Sequence, residues 1–137
     1  MAKRILVVED EPRILAIVQE RLEVSGHEVI TATDGVQALE VARREKPDLI
    51  VLDLMLPRKD GYDVCVELKN DPVYSPIPIL MLTSKSQDKE INKGLACGAE
   101  GYMLKPFDSK AFVARVAQLL ERAEADRLQR KVREGEA

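Results

Sequence analysis

Two short apolar runs, Ile5-Leu6-Val7-Val8 and Leu49-Ile50-Val51-Leu52, each end on acid: Glu9-Asp10 after the first, Asp53 after the second. Runs this short and rich in β-branched residues read as strands buried on both faces of a parallel sheet. Laid side by side, they would gather three carboxylates at their C-terminal ends. Such crowding is repulsive and raises pKa values. A divalent cation would offset it, and hard oxygen donors favour Mg²⁺, with Mn²⁺ as the alternative. A lone acid here would simply end its strand or cap the next helix. Two acidic strand ends, each followed by a proline-containing turn, point to a site.

Strand and helix signals alternate along the rest of the chain. Residues 4–9 read as strand and 13–24 as helix, with Ile14, Ile17, Val18 and Leu22 at helical spacing and Gly26 as the stop. His27 opens a short strand through Ile30 and reads as solvent-exposed and without a role. Residues 36–45 predict a second helix, 48–53 the third strand, and a third helix follows Gly61 to about Asn70. Pro72, Pro76 and Pro78 mark a loop before the strand Ile79-Leu80-Met81-Leu82. A weaker helix over about 87–97, a strand at Tyr102-Met103-Leu104 and a last helix from near Ser109 complete the pattern.

This alternation implies an α/β fold: a five-stranded parallel sheet, doubly wound, with five flanking helices. Ligands of such sheets bind beyond the carboxyl ends of the strands. The candidates are therefore Glu9, Asp10, Asp53, Thr83, Ser84, Lys105 and Pro106: acids for a metal, hydroxyls and a cation. No glycine-rich phosphate loop accompanies them.

At 137 residues, 45% hydrophobic and 33% charged, the chain has the composition of one globular domain. No apolar stretch is long enough for a membrane span, and Met1-Ala2-Lys3-Arg4 leads straight into a strand, so a cytoplasmic protein is expected. Cys65 and Cys97 are far apart without metal-ligand spacing and read as small buried or half-buried thiols. A net charge of −3 with no basic cluster argues against nucleic-acid contact by this domain.

Five segments in order carry a resemblance: Val8-Glu9-Asp10-Glu11-Pro12, Asp53-Leu54-Met55-Leu56-Pro57, Asp60-Gly61, Met81-Leu82-Thr83-Ser84, and Gly98-Ala99-Glu100-Gly101-Tyr102-Met103-Leu104-Lys105-Pro106-Phe107. Over about residues 3–122 the chain resembles the receiver domain of bacterial two-component response regulators, the CheY-like superfamily. The resemblance implies strand order 2-1-3-4-5. It implies that Asp53 accepts a phosphoryl group from a phosphohistidine on a sensor histidine kinase or phosphotransfer protein, with slow autodephosphorylation and no turnover of a separate substrate. Asp10, Asp53 and the Met55 carbonyl would ligate Mg²⁺, and Glu9 would act through a metal-bound water. Lys105 would pair with Asp53 and then with the phosphoryl group, Thr83 would donate its hydroxyl to it, and Tyr102 would turn inward after Thr83 moves. The Lys105–Pro106 bond would be cis. The signal would leave through the face of the fourth helix, fifth strand and fifth helix, toward a downstream target or a dimer partner.

Lys59 departs from the usual apolar residue before Asp60-Gly61, which would loosen or re-aim that loop. Met55 and Lys85 stand at rim positions that tune water access. Gly101 replaces an acid that receivers of many winged-helix transcription factors use between subunits, which weakens the case for their dimer. Residues 1–122 are read as the receiver and 123–137 as a charged helical extension or linker. In that tail the stripe Val113, Val116, Leu120, Ala123 gives way to Arg127 and Arg130, while Leu128 and Val132 lie on a shifted stripe. Two other classes share features: an aspartate-nucleophile phosphatase, which needs an acid where Met55 stands, and a flavin carrier, whose phosphate an acidic first loop would repel.

Overall fold

The computed structural model describes residues 3–84 and 97–135. Strands β1 (Arg4–Val8), β2 (Glu28–Ala32), β3 (Leu49–Asp53), β4 (Ile79–Ser84) and β5 (Gly101–Lys105) form one sheet. Their order is β2-β1-β3-β4-β5, and every pairing is parallel. Four helices flank it among the described residues: α1 (Pro12–Val24), α2 (Gly35–Glu45), α3 (Gly61–Lys69) and α4 (Ser109–Gly135). This is the doubly wound α/β architecture that the alternation predicts. The weaker helix predicted over about 87–97 falls on residues outside the described ones, apart from Cys97.

Strand alternation sorts the core into two layers. Leu6, Val8, Ile50, Leu52, Ile79 and Met81 pack with α2 and α3. Ile5, Val7, Leu49, Val51, Leu80 and Leu82 pack with α1 and α4, where Phe112 is fully buried. Because helices cover both faces, the inner strands β1, β3 and β4 are apolar at successive positions, which explains the unbroken runs.

Other acids, away from the strand-end cluster, cap helices. Asp34 accepts from the Gln37 N–H at 2.8 Å, Asp60 from Asp63 at 2.9 Å, and Asp108 from Ala111 at 2.9 Å. Gly61 lets α3 begin against the end of β3, since a Cβ there would lie 2.1 Å from the Asp53 carbonyl oxygen.

Some details correct the sequence reading. His27 is half-buried, not exposed, and burial holds its pKa below the usual imidazole value. Gly26 at φ +92° and the His27 N–H on the Leu22 carbonyl (3.0 Å) fold this turn back onto α1. Lys59, expected to loosen or re-aim its loop, pairs with Glu67 of α3 at 2.9 Å. Cys65 and Cys97 are buried free thiols, as expected, and though distant in sequence they adjoin, with Cys65 Sγ 3.7 Å from the Cys97 carbonyl oxygen.

Helix α4 runs 27 residues without a break at the boundary drawn between 122 and 123. Phe112, Val116, Leu119 and Leu120 bury its first half, and Glu124 then pairs with Lys3 at 3.1 Å. Beyond that, Leu128 and Val132 are exposed. No described helix is long and apolar enough to cross a membrane.

Candidate functional site

The alternation that builds the core also aims the site. Glu9 and Asp53 continue the odd-numbered series Ile5, Val7 and Leu49, Val51, and Lys105 continues Met103, so all three belong to the layer of α1 and α4. From β5, Lys105 reaches past the end of β4 to place Nζ 2.8 Å from Glu9 Oε1 and 3.2 Å from Asp53 Oδ2. The second Glu9 oxygen accepts from the Glu11 N–H at 3.1 Å, and the second Asp53 oxygen from the Met55 N–H at 3.3 Å.

One oxygen each from Glu9, Asp10 and Asp53 lies within 4.8 Å of the others. Glu9 and Asp53 are buried while Asp10 is exposed, so the cluster opens to solvent on one side. Burial first, then the Glu9 charge, push the Asp53 carboxyl up to about 7, although Lys105 opposes them. Burial works against ionised Glu9 as well, but Lys105 and the Glu11 N–H outweigh it and hold Glu9 below the usual carboxylate range. Lys105 is drawn out of water, which alone would lower its pKa, yet Glu9 and Asp53 raise it. One ammonium thus faces two buried acids, and Asp53 is the one left short of positive charge. An all-oxygen donor set with that deficit fits a hard divalent cation.

Thr83 and Tyr102 belong to the other layer. Thr83 is fully buried in β4, opposite Leu104 in the β4–β5 register, and Tyr102 stands opposite Met81. The Tyr102 ring packs against the layer of α2 and α3 and is already turned inward, its hydroxyl buried and without a hydrogen-bond partner among the described residues. Met55 is 55% exposed at the rim. The Lys105–Pro106 peptide bond is cis. Lys85 lies outside the described residues.

The structure therefore brings Glu9, Asp10, Asp53 and Lys105 into one cluster, with Met55 at its edge and Thr83 and Ser84 ending the strand beside it. The direct Lys105–Glu9 pair is absent from the sequence reading, which gives Glu9 only a water-mediated role. Alternation alone places Glu9 on the same layer as Val7, but the contact with Lys105 comes from the sheet order and is not a local signal.

Residues 5–117 match the family model of the response regulator receiver domain. The chain belongs to that family. This receiver domain is 50% identical over 124 residues to the alkaline phosphatase synthesis transcriptional regulatory protein PhoP of Bacillus subtilis, an alignment covering 90% of the chain and 51% of PhoP. The chain spans about half the length of the curated relatives it matches. Among solved structures, the chemotaxis response regulator CheY4 of Vibrio cholerae superposes with a TM-score of 0.81 at 30% identity, covering 87% of this chain and 99% of that one. The receiver domain of sensor histidine kinase PA1611 from Pseudomonas aeruginosa, solved with a magnesium ion in its active site cleft, gives 0.82 at 28% identity, with 88% and 99% covered. The receiver domain described here is accordingly a two-component signalling domain rather than a classical enzyme.

Proposed function

We propose that Asp53 is the phosphoacceptor of this receiver. The observation that carries the reading is the Asp53 carboxylate, 3.2 Å from Lys105 inside a cluster of three acids. A carboxylate oxygen of Asp53 attacks the phosphorus of a phosphohistidine on a sensor kinase or phosphotransfer protein. The P–N bond breaks, the imidazole leaves with the bonding electron pair, and an acyl phosphate forms. Asp10, Asp53 and the Met55 carbonyl would hold Mg²⁺, with Glu9 acting through a water, and the cation would neutralise charge on the phosphoryl oxygens.

The chain's own groups do the rest. Lys105 orients and balances the charged oxygens, moving between its two acidic partners as charge is redistributed. Thr83 donates its hydroxyl to a phosphoryl oxygen. Phosphorylation adds roughly −1.5 to −2 charges here, and the response passes through Thr83 to Tyr102 and the β5–α4 face. Residues 1–122 form the signalling unit, and the α4 extension carries the response to a downstream partner or a second copy of the chain in the cytoplasm. The expected test is incubation with acetyl phosphate and Mg²⁺. One phosphoryl mass, labile to hydroxylamine, should appear in the wild type and not in Asp53→Asn; equal labelling of the variant would refute the assignment.

A further inference from the structure

Cys65 and Cys97 are separated by 32 positions in sequence, yet the Cys65 side chain packs against Cys97, and both lie near Tyr102. Cys65 lies on the buried side of α3, and Cys97 stands in the segment that leads into β5. Cys65 Sγ is 3.7 Å from the Cys97 carbonyl oxygen, and both cysteines are free thiols. We propose that this pair is a modification site, where a hydroperoxide oxidises Cys65 and Cys97 to a reversible intramolecular disulfide.

The two thiols are not equivalent. Cys65 is 0% exposed and Cys97 6%, so an oxidant meets Cys97 first. Cys97 also has the donors that stabilise a thiolate. The Cys65 S–H, which rests on the Cys97 carbonyl oxygen and can turn to a thiolate beside it, is the strongest of them, followed by the Ala99 N–H and the Tyr102 hydroxyl; together they outweigh burial and lower Cys97 to about 7. Cys65, as the donor in that pair and fully buried, moves the other way. The Lys69 ammonium favours ionisation from one side while Glu100 opposes it. The buried Tyr102 hydroxyl has no hydrogen-bond partner among the described residues, and an anionic sulfur at Cys97 would supply an acceptor.

The chemistry closes without another reactant. The Cys97 thiolate attacks the outer oxygen of the hydroperoxide, the O–O bond breaks, and the alcohol or water leaves with the proton, giving a sulfenic acid. The Cys65 thiol then attacks that sulfur, its proton and the sulfenic hydroxyl leave as water, and the S–S bond forms. The two electrons lost by the thiols are those that cleave the O–O bond. In a glutathione-buffered compartment the bond would be transient, as a sensing disulfide must be.

The test is a peptide map of the reduced full chain after treatment with hydrogen peroxide. Loss of two hydrogens in the intact mass, a linked Cys65–Cys97 peptide and recovery with dithiothreitol are expected. In Cys65→Ser, Cys97 should accumulate as a sulfenic acid that dimedone traps. Both thiols remaining alkylatable after peroxide, Cys97 advancing to sulfinic acid beside a free Cys65, or a disulfide between two chains would each overturn the proposal. The wild-type map decides alone if the variant does not fold.

Discussion

Lys105 makes its shorter ion pair with Glu9, at 2.8 Å, and not with the proposed phosphoacceptor Asp53, at 3.2 Å. Glu9 is 1% exposed and holds the ammonium with one oxygen and the Glu11 N–H with the other. It therefore competes with Asp53 for the only cation among the described residues at this cluster, which leaves Asp53 with a raised pKa.

Glu9→Gln tests that competition. Removing the Glu9 charge removes the second-largest cause of the Asp53 shift and frees Lys105 to pair with Asp53 alone. The Asp53 carboxyl should titrate well below the wild-type value of about 7, as read by carbon NMR of its side chain without Mg²⁺. An unchanged titration would mean that burial alone sets it.

The same shift predicts how stability depends on pH. An Asp53 carboxyl raised from 3.8 to about 7 keeps its proton in the folded state where the unfolded chain has lost it. The native state then binds more protons, so its contribution to stability falls as pH rises through that window and levels off above it. Without Mg²⁺, urea midpoints should fall between pH 5 and pH 8 more steeply in the wild type than in Asp53→Asn. Added Mg²⁺ should stabilise more at pH 8 than at pH 5, because ligation needs the ionised carboxylate. Asp10→Asn should weaken that Mg²⁺ effect while leaving the fold intact.

Lys105→Ala separates chemistry from signalling. A conformational response requires contacts that differ between the two states. With beryllofluoride as phosphoryl mimic, backbone NMR of the wild type should show shifts spreading from Asp53 to Tyr102 and α4. In the variant they should stay near Asp53. Equal spreading in both would remove Lys105 from the relay.

Phe112 anchors α4 to the sheet and is fully buried, 5.0 Å from the Phe107 ring. Phe112→Ala should destabilise the domain by about 3–5 kcal/mol in urea unfolding, the usual range for such a cavity. Leu128→Ala, on the exposed end of the same helix, should change stability by less than about 0.5 kcal/mol in the monomer.

The sequence by itself determined the elements, their parallel sheet and the edge where the chemistry gathers. Each of those follows from local signals: runs such as Leu49–Leu52 buried on both faces, the helical spacing of Ile14, Ile17, Val18 and Leu22, and Gly26 as the helix stop in its left-handed turn. Periodicity and capping act within a few residues, so they can be read in order along the chain. Only the tertiary structure decided which groups touch. The Lys105–Glu9 pair spans 96 positions, the Cys65–Cys97 contact 32, and Lys59 meets Glu67 across a loop and two turns of helix. Strand order and register bring such groups together, and a difference of a few tenths of an ångström then decides which acid holds the ammonium. Those distances are set by the packing of the whole sheet, and no local pattern in the chain encodes them.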